Sequence, residues 1–202
     1  MSNKEDIALM AHLVRRAGFG SNPDQLEELV EQGYENTVER LVNPPDDVPR
    51  ADQYLLFRYI PTAETGGPSP VPGAANWLSQ MVNTQRPLEE KMTLMWHGRF
   101  ATGYSKVNNA PMMAGYLEML RDNCLGNFAT LLRELSRSPA MIWWLDQQTN
   151  HAPAINENYG RELLELFSMG RGNYTEDDVR ASTLAFTGWT IDQTIPRYPN
   201  GW

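Results

Sequence analysis

The densest group of ionisable side chains lies in one stretch, Asn156-Glu157-Asn158-Tyr159-Gly160-Arg161-Glu162-Leu163-Leu164-Glu165-Leu166-Phe167. On a helix, residues three and four apart share a face, so Asn158, Glu162 and Glu165 lie together. Two carboxylates held that way can bind a divalent metal or do acid–base work. Glu157, Arg161 and Glu165 form a second row at four-residue spacing. That row reads equally as structural ion pairing on a solvated face, at ~0.2–0.5 kcal/mol per pair. Both readings of Glu162 and Glu165 stay open.

The second candidate is His97, in Met95-Trp96-His97-Gly98-Arg99-Phe100. The other histidines are His12 and His151, so there is no histidine-rich site. Glu90 lies two helical turns before His97 on the same face. A Glu/His/Glu set drawn from two helices is how helical bundles hold metals, which makes His97, Glu162 and Glu165 the candidate ligands. The ferritin-like Glu-x-x-His pattern is absent, because no histidine follows Glu162 or Glu165 at that spacing. The plainer reading of His97 is a hydrogen-bonded packing residue next to Trp96. Asp146 follows Trp143-Trp144-Leu145. It is either an exposed cap or, buried against tryptophan, an acid with a raised pKa. His151, between Asn150 and Pro153, is expected in a solvated turn.

Other chemistry finds no template. There is no Gly-x-Ser-x-Gly elbow, Walker A loop, dinucleotide fingerprint or His-Glu-x-x-His. The sequence requires no cofactor, although a divalent metal would suit the carboxylates. Cys124 is the single cysteine, so neither an intramolecular disulfide nor a cysteine zinc site can form. It is expected as a small core residue at a helix end. The formal net charge is -8, and nothing resembles the basic footprint of a nucleic-acid binder. Lys4, Lys91 and Lys106 stand against fourteen arginines. Arginine forms bidentate carboxylate pairs that lysine cannot, but a GC-rich genome gives the same ratio. The longest apolar run, Ala140 to Leu145, falls far short of the roughly 20 residues of a membrane span. No apolar stretch follows Arg15-Arg16, so no signal peptide is read and a cytoplasmic location is expected, unless an upstream leader was lost.

The elements that must position these residues are helices. Ile7, Met10, Val14 and Ala17 fall on one face. Asn22 caps a second helix, with Pro23 at its first position and Leu26, Leu29 and Val30 as its stripe. Tyr34, Val38, Leu41 and Val42 make a third, stopped by Pro44-Pro45. Tyr54 to Ile60 reads as helical, and Pro61 to Gly73 as the longest loop. Trp77, Leu78, Met81 and Val82 open the next helix. Leu88, Met92, Met95 and Trp96 line another, then Met112, Met113, Tyr116, Leu117 and Leu120. Phe128, Leu131, Leu132 and Leu135 precede a short helix begun by Pro139. Tyr159, Leu163, Leu166 and Phe167 form a later stripe, stopped by Gly170. Thr175 caps the last helix with Asp178 as capping-box partner, and Gly188 ends it. The fold class is all-α, an irregular orthogonal array of about eight to ten helices without a substantial sheet. Residues 1–189 read as a single helical domain, with 190–202 as an irregular tail.

Four ordered blocks resemble a known family. They are Met10 to Gly20, Glu90-Lys91-Met92 through Trp96-His97 and Phe100, Asn156 to Phe167 with Gly170, and Tyr174 to Val179 through Thr187-Gly188-Trp189. Together they resemble the bacterial domain-of-unknown-function family numbered 1800. The resemblance implies a mainly helical protein without an established activity. It also implies that the chain is the N-terminal part of a longer domain, in which a His-Asp segment follows the Thr-Gly-Trp block. Relatives often carry export signals and are encoded beside a sulfatase-like family, which makes a protein of that kind the expected partner. Two functions are compatible with these residues. One is a non-catalytic interaction or assembly module. The other is a metal-assisted hydrolase or oxidoreductase whose His97/Glu162/Glu165 site is completed by residues beyond Trp202.

Overall fold

The computed structural model describes residues 4–50 and 71–191. Among them are eleven α-helices and no strand. The helices are α1 (Lys4–Ala17), α2 (Pro23–Gln32), α3 (Tyr34–Val42), α4 (Val71–Asn83), α5 (Pro87–Arg99), α6 (Tyr104–Val107), α7 (Ala110–Asn123), α8 (Phe128–Arg137), α9 (Pro139–Trp144), α10 (Asn158–Glu162) and α11 (Glu176–Ala185). A 3-10 turn (Gln147–Thr149) precedes α10, and a π-helical segment (Leu163–Ser168) continues it. The all-α class is as expected. The helix expected over Tyr54 to Ile60 lies outside the described residues, as does nearly all of 190–202. The loop expected over Pro61 to Gly73 gives way to helix at Val71, because a proline at the second helical position costs no intrahelical hydrogen bond.

The chain divides into two compact units. Unit 1 comprises Met1–Gly98 and Leu117–Leu131, and unit 2 comprises Arg99–Tyr116 and Leu132–Trp202. In unit 1, α1 buries Met10 and Val14 as its spacing predicts. Gly18 follows α1, and a Cβ there would sit 2.9 Å from the Cβ of Pro87, so its absence admits the start of α5. Asn22 and Gln25 form a capping box on α2. Gly33, at φ +91°, closes α2 and opens α3, a left-handed turn that a Cβ would strain.

Two stripes in unit 1 differ from expectation. On α4, Leu78 and Val82 are 62% and 81% exposed, while Gln80 is buried. On α5, Leu94 and Met95 are exposed and the buried residues are Glu90 and Thr93. The inward face of α5 is polar because Glu90 finds an arginine partner and the Thr93 hydroxyl donates to the Glu89 carbonyl at 2.8 Å. Cys124, just past α7, is buried as expected, and its carbonyl accepts the Trp96 indole N–H at 2.9 Å. Burial pushes its thiol pKa up to about 11.

In unit 2 the core is apolar and aromatic. Phe100, Leu135, Ala140, Met141, Tyr159 and Val179 are almost fully buried. The Phe100 and Phe167 rings meet edge to face at 5.3 Å. The Tyr116 hydroxyl donates to the Phe100 carbonyl, and burial raises its pKa. Thr175 and Asp178 form the expected capping box on α11. The helix stops at Ala185, three residues before the expected Gly188. The Gly188 N–H instead donates to the Asn150 carbonyl at 2.9 Å.

Candidate functional site

The Asn156–Phe167 stretch is assembled by its own polar side chains. Before it, the chain leaves α9 through a tight turn in which Asp146 takes φ +57°, a left-handed conformation that aspartate tolerates better than most residues. Asp146 is neither a side-chain cap nor a buried acid. Its carboxylate pairs with the Lys106 ammonium at 2.8 Å, and both side chains are partly exposed. Buried Asn150 donates to the Thr183 carbonyl at 2.9 Å and accepts from the Asn156 N–H at 3.2 Å. Asn156 donates to Thr149 Oγ1 at 2.8 Å, and Asn158 to the Leu145 carbonyl at 3.0 Å. His151 is exposed and its backbone bridges to Ala154. These amides hold the entry to α10 in register.

From α10 inward, Tyr159 is buried. Its hydroxyl donates to Ser136 Oγ at 2.6 Å, and burial raises its pKa to about 12. Gly160 faces α11 so closely that a Cβ would lie 2.5 Å from Thr183 Oγ1 and 3.0 Å from the Thr183 nitrogen. Arg161 pairs with Glu157 at 3.3 Å and with Glu176 at 2.7 Å.

The π segment then changes the expected faces. Its wider turn, closed by the Met169 N–H on the Leu164 carbonyl, adds a residue and rotates the residues beyond it by about 100° relative to an α-helix. Leu166, expected inside, is 49% exposed, whereas Phe167 is buried. Glu165 leaves the Arg161 row. It accepts from Arg171 Nε and, at 2.8 Å, from the Tyr174 hydroxyl. Those donors, Arg171 first, hold its carboxyl below the usual pKa. Glu162 behaves oppositely. The residue is half-exposed, but its Oε2 is closed off from solvent and has no hydrogen-bond partner among the described residues. Desolvation, and then the nearby Glu165 charge, raise its pKa.

His97 lies in unit 1, on α5, while Glu162 and Glu165 lie in unit 2. Its ring meets the Trp77 indole edge to face at 5.2 Å, and burial lowers its pKa. The Trp77 N–H donates to Glu90 Oε2 at 3.1 Å. Glu90 also receives the Arg121 guanidinium through Nε and, at 3.3 Å, through Nη2. Both side chains of this pair are 4% exposed. Arg121 reaches Glu118 as well, and these carboxylates outweigh its desolvation and raise its pKa. The shared face of Glu90 and His97 is thus real, and Trp77 touches both. Trp77 and Arg121 escaped sequence reasoning because neither stands at helical spacing from Glu90. Among the described residues, no three His, Cys, Asp or Glu side chains come together as a metal's ligand set. No helix among them is long and apolar enough to cross a membrane.

A family model described as "Protein of unknown function (DUF1800)" matches residues 12–201. The chain belongs to this family. The match takes in the first sequence block from His12 onward, the other three blocks whole and both polar clusters, so the Glu90–Arg121 pair and the Asn156–Glu165 stretch are parts of the DUF1800 region. No curated protein and no solved structure matches the chain.

Proposed function

We propose that this DUF1800 protein is a non-catalytic interaction or assembly module, and that it meets a second copy of itself through α4. The observation that carries this reading is the face of α4. Ala74, Leu78 and Val82 stand exposed at four-residue spacing, on a helix without a single charged residue. Every other described helix longer than eight residues carries charge. Copies with a net charge of -8 repel one another. An uncharged apolar row is where that repulsion costs least and where burial gains most, at ~25 cal/mol per Å². The polar stretch supports the same reading, since Asn156, Asn158, Tyr159, Arg161 and Glu165 each spend their side chains on holding unit 2 together. A sulfatase-like partner would be a further client of such a module.

Sedimentation velocity over rising protein concentration tests the reading. Concentration-dependent dimers are expected for the wild type. The Leu78→Asp/Val82→Asp variant should stay monomeric with unchanged helical circular dichroism. A wild type that stays monomeric at every concentration would sink the proposal.

A second reading, acid–base catalysis, rests on Glu162, whose partnerless Oε2 and raised pKa suit a proton donor. Glu165, kept ionised by Arg171 and Tyr174, would be its charged neighbour. Metal assistance from His97, Glu162 and Glu165 has no assembled ligand set among the described residues. Plasma mass spectrometry of the whole protein beside His97→Ala checks it, with no loss of metal expected on the substitution.

A further inference from the structure

The geometry points to a second binding site in unit 1, a groove for a short extended segment of a partner polypeptide, lined by glutamine amides. A cleft of about 450 Å³ opens where α1, α2 and α3 meet the start of α5. That volume is within the roughly 300–1,000 Å³ of ligand sites. The helices around it are unfinished. α2 has no fully buried residue, and α3 buries only Thr37. Leu29 and Leu41 line the cleft and are half-buried, so an occupant would complete their burial.

The polar lining selects the occupant. Gln25, Gln32 and Gln85 all face the cleft. Gln25 Oε1 accepts the Asn22 N–H at 3.3 Å, and Gln32 Oε1 accepts from Arg40 at 2.7 Å. Among the described residues, both amide nitrogens keep their donors, and Gln85 keeps a donor pair and an acceptor. A primary amide is the side chain that matches a peptide group donor for acceptor. These glutamines are exposed, and an extended segment brings open N–H and C=O groups for them to bond, whereas a helix arrives with its own backbone bonds closed. Arg40 and Glu28 are the charged lining residues and offset each other, so a neutral apolar segment fits better than a polyanion. The outer wall is fixed in advance. Arg86 Nε donates to the Val48 carbonyl at 2.8 Å, and Arg50 pairs with Glu89 at 3.0 Å and Asp122 at 2.7 Å. A preformed wall spares the ordering cost of binding.

The test is a nitrogen-15 titration of the whole chain with N-acetyl-leucine methylamide, one apolar side chain between two peptide groups. The side-chain amide signals of Gln25, Gln32 and Gln85 are expected to move together and saturate. Leu29→Trp, which fills the cleft, should weaken binding about tenfold, or 1.4 kcal/mol. If that variant loses helical signal, Gln32→Ala decides, with the same direction expected. 2-Methyl-1-propanol, the apolar end without peptide groups, should not saturate those signals. Absence of saturation with the diamide, or equal shifts from the alcohol, would overturn the groove. The Leu78→Asp/Val82→Asp variant should bind the probe as the wild type does, so this site and the α4 face stand or fall separately.

Discussion

Glu90 and Glu162 are two buried-side carboxylates with opposite fates. Glu90 has Arg121 and the Trp77 N–H, while Glu162 Oε2 has no partner among the described residues. Removing one member of a buried pair strands the other charge. Glu90→Leu should therefore destabilise the protein by about 3–5 kcal/mol in chemical denaturation, and the Glu90→Leu/Arg121→Met double variant should recover most of that loss. Glu162 predicts the reverse. Its raised pKa means that the folded state holds a proton more tightly than the unfolded chain. Stability then falls as pH rises above the ordinary carboxyl value of about 4.3. Glu162→Gln should be more stable than the wild type at pH 7, with the difference vanishing below about pH 4 in pH-dependent melts. Glu165, with a lowered pKa, works in the opposite direction and loses its contribution as the solution is acidified.

Elements decide how much of this is legible in the sequence. Caps and stops are, since Asn22, Pro23, Thr175 and Asp178 act over three or four residues and carry their own hydrogen bonds. The stripe of α1 is legible because its apolar period is regular. The polar face of α5 is not, because burying Glu90 depends on Arg121, 31 residues away. The π segment is not either, since helical spacing assumes 3.6 residues per turn and the Met169 N–H closes on the Leu164 carbonyl five residues back. Leu166 and the expected Arg161–Glu165 contact are therefore misplaced by helical spacing. Asp146 reads as a cap or a buried acid because Lys106, its partner, is 40 residues distant. One local signal does mark a contact between elements. Gly160 sits mid-helix, where glycine costs about 1 kcal/mol against alanine and so marks a close approach. Gly160→Ala should destabilise the protein by about 1–3 kcal/mol in denaturant titration. Thr183→Ala should rescue it only in part, since the Thr183 nitrogen stays 3.0 Å from the new carbon.

For the whole molecule, the charge of -8 governs association. Screening shortens the reach of that repulsion from about 30 Å at 0.01 M salt to about 8 Å at 0.15 M. If copies meet through the uncharged face of α4, their association should strengthen as salt rises. A contact made of ion pairs would weaken instead. Sedimentation at both salt concentrations separates the two.

Cys124 gives the protein a built-in clock. Its buried thiol, with a pKa of about 11, holds almost no thiolate at neutral pH, and thiolate is the species that alkylating reagents consume. Because it is the single cysteine, any native-state labelling has one origin, the transient opening of unit 1 around the end of α7. The rate of iodoacetamide capture, followed by intact mass, would count those openings directly. It should rise in Glu90→Leu, whose loss loosens the same unit, and stay at the wild-type value in Gly160→Ala.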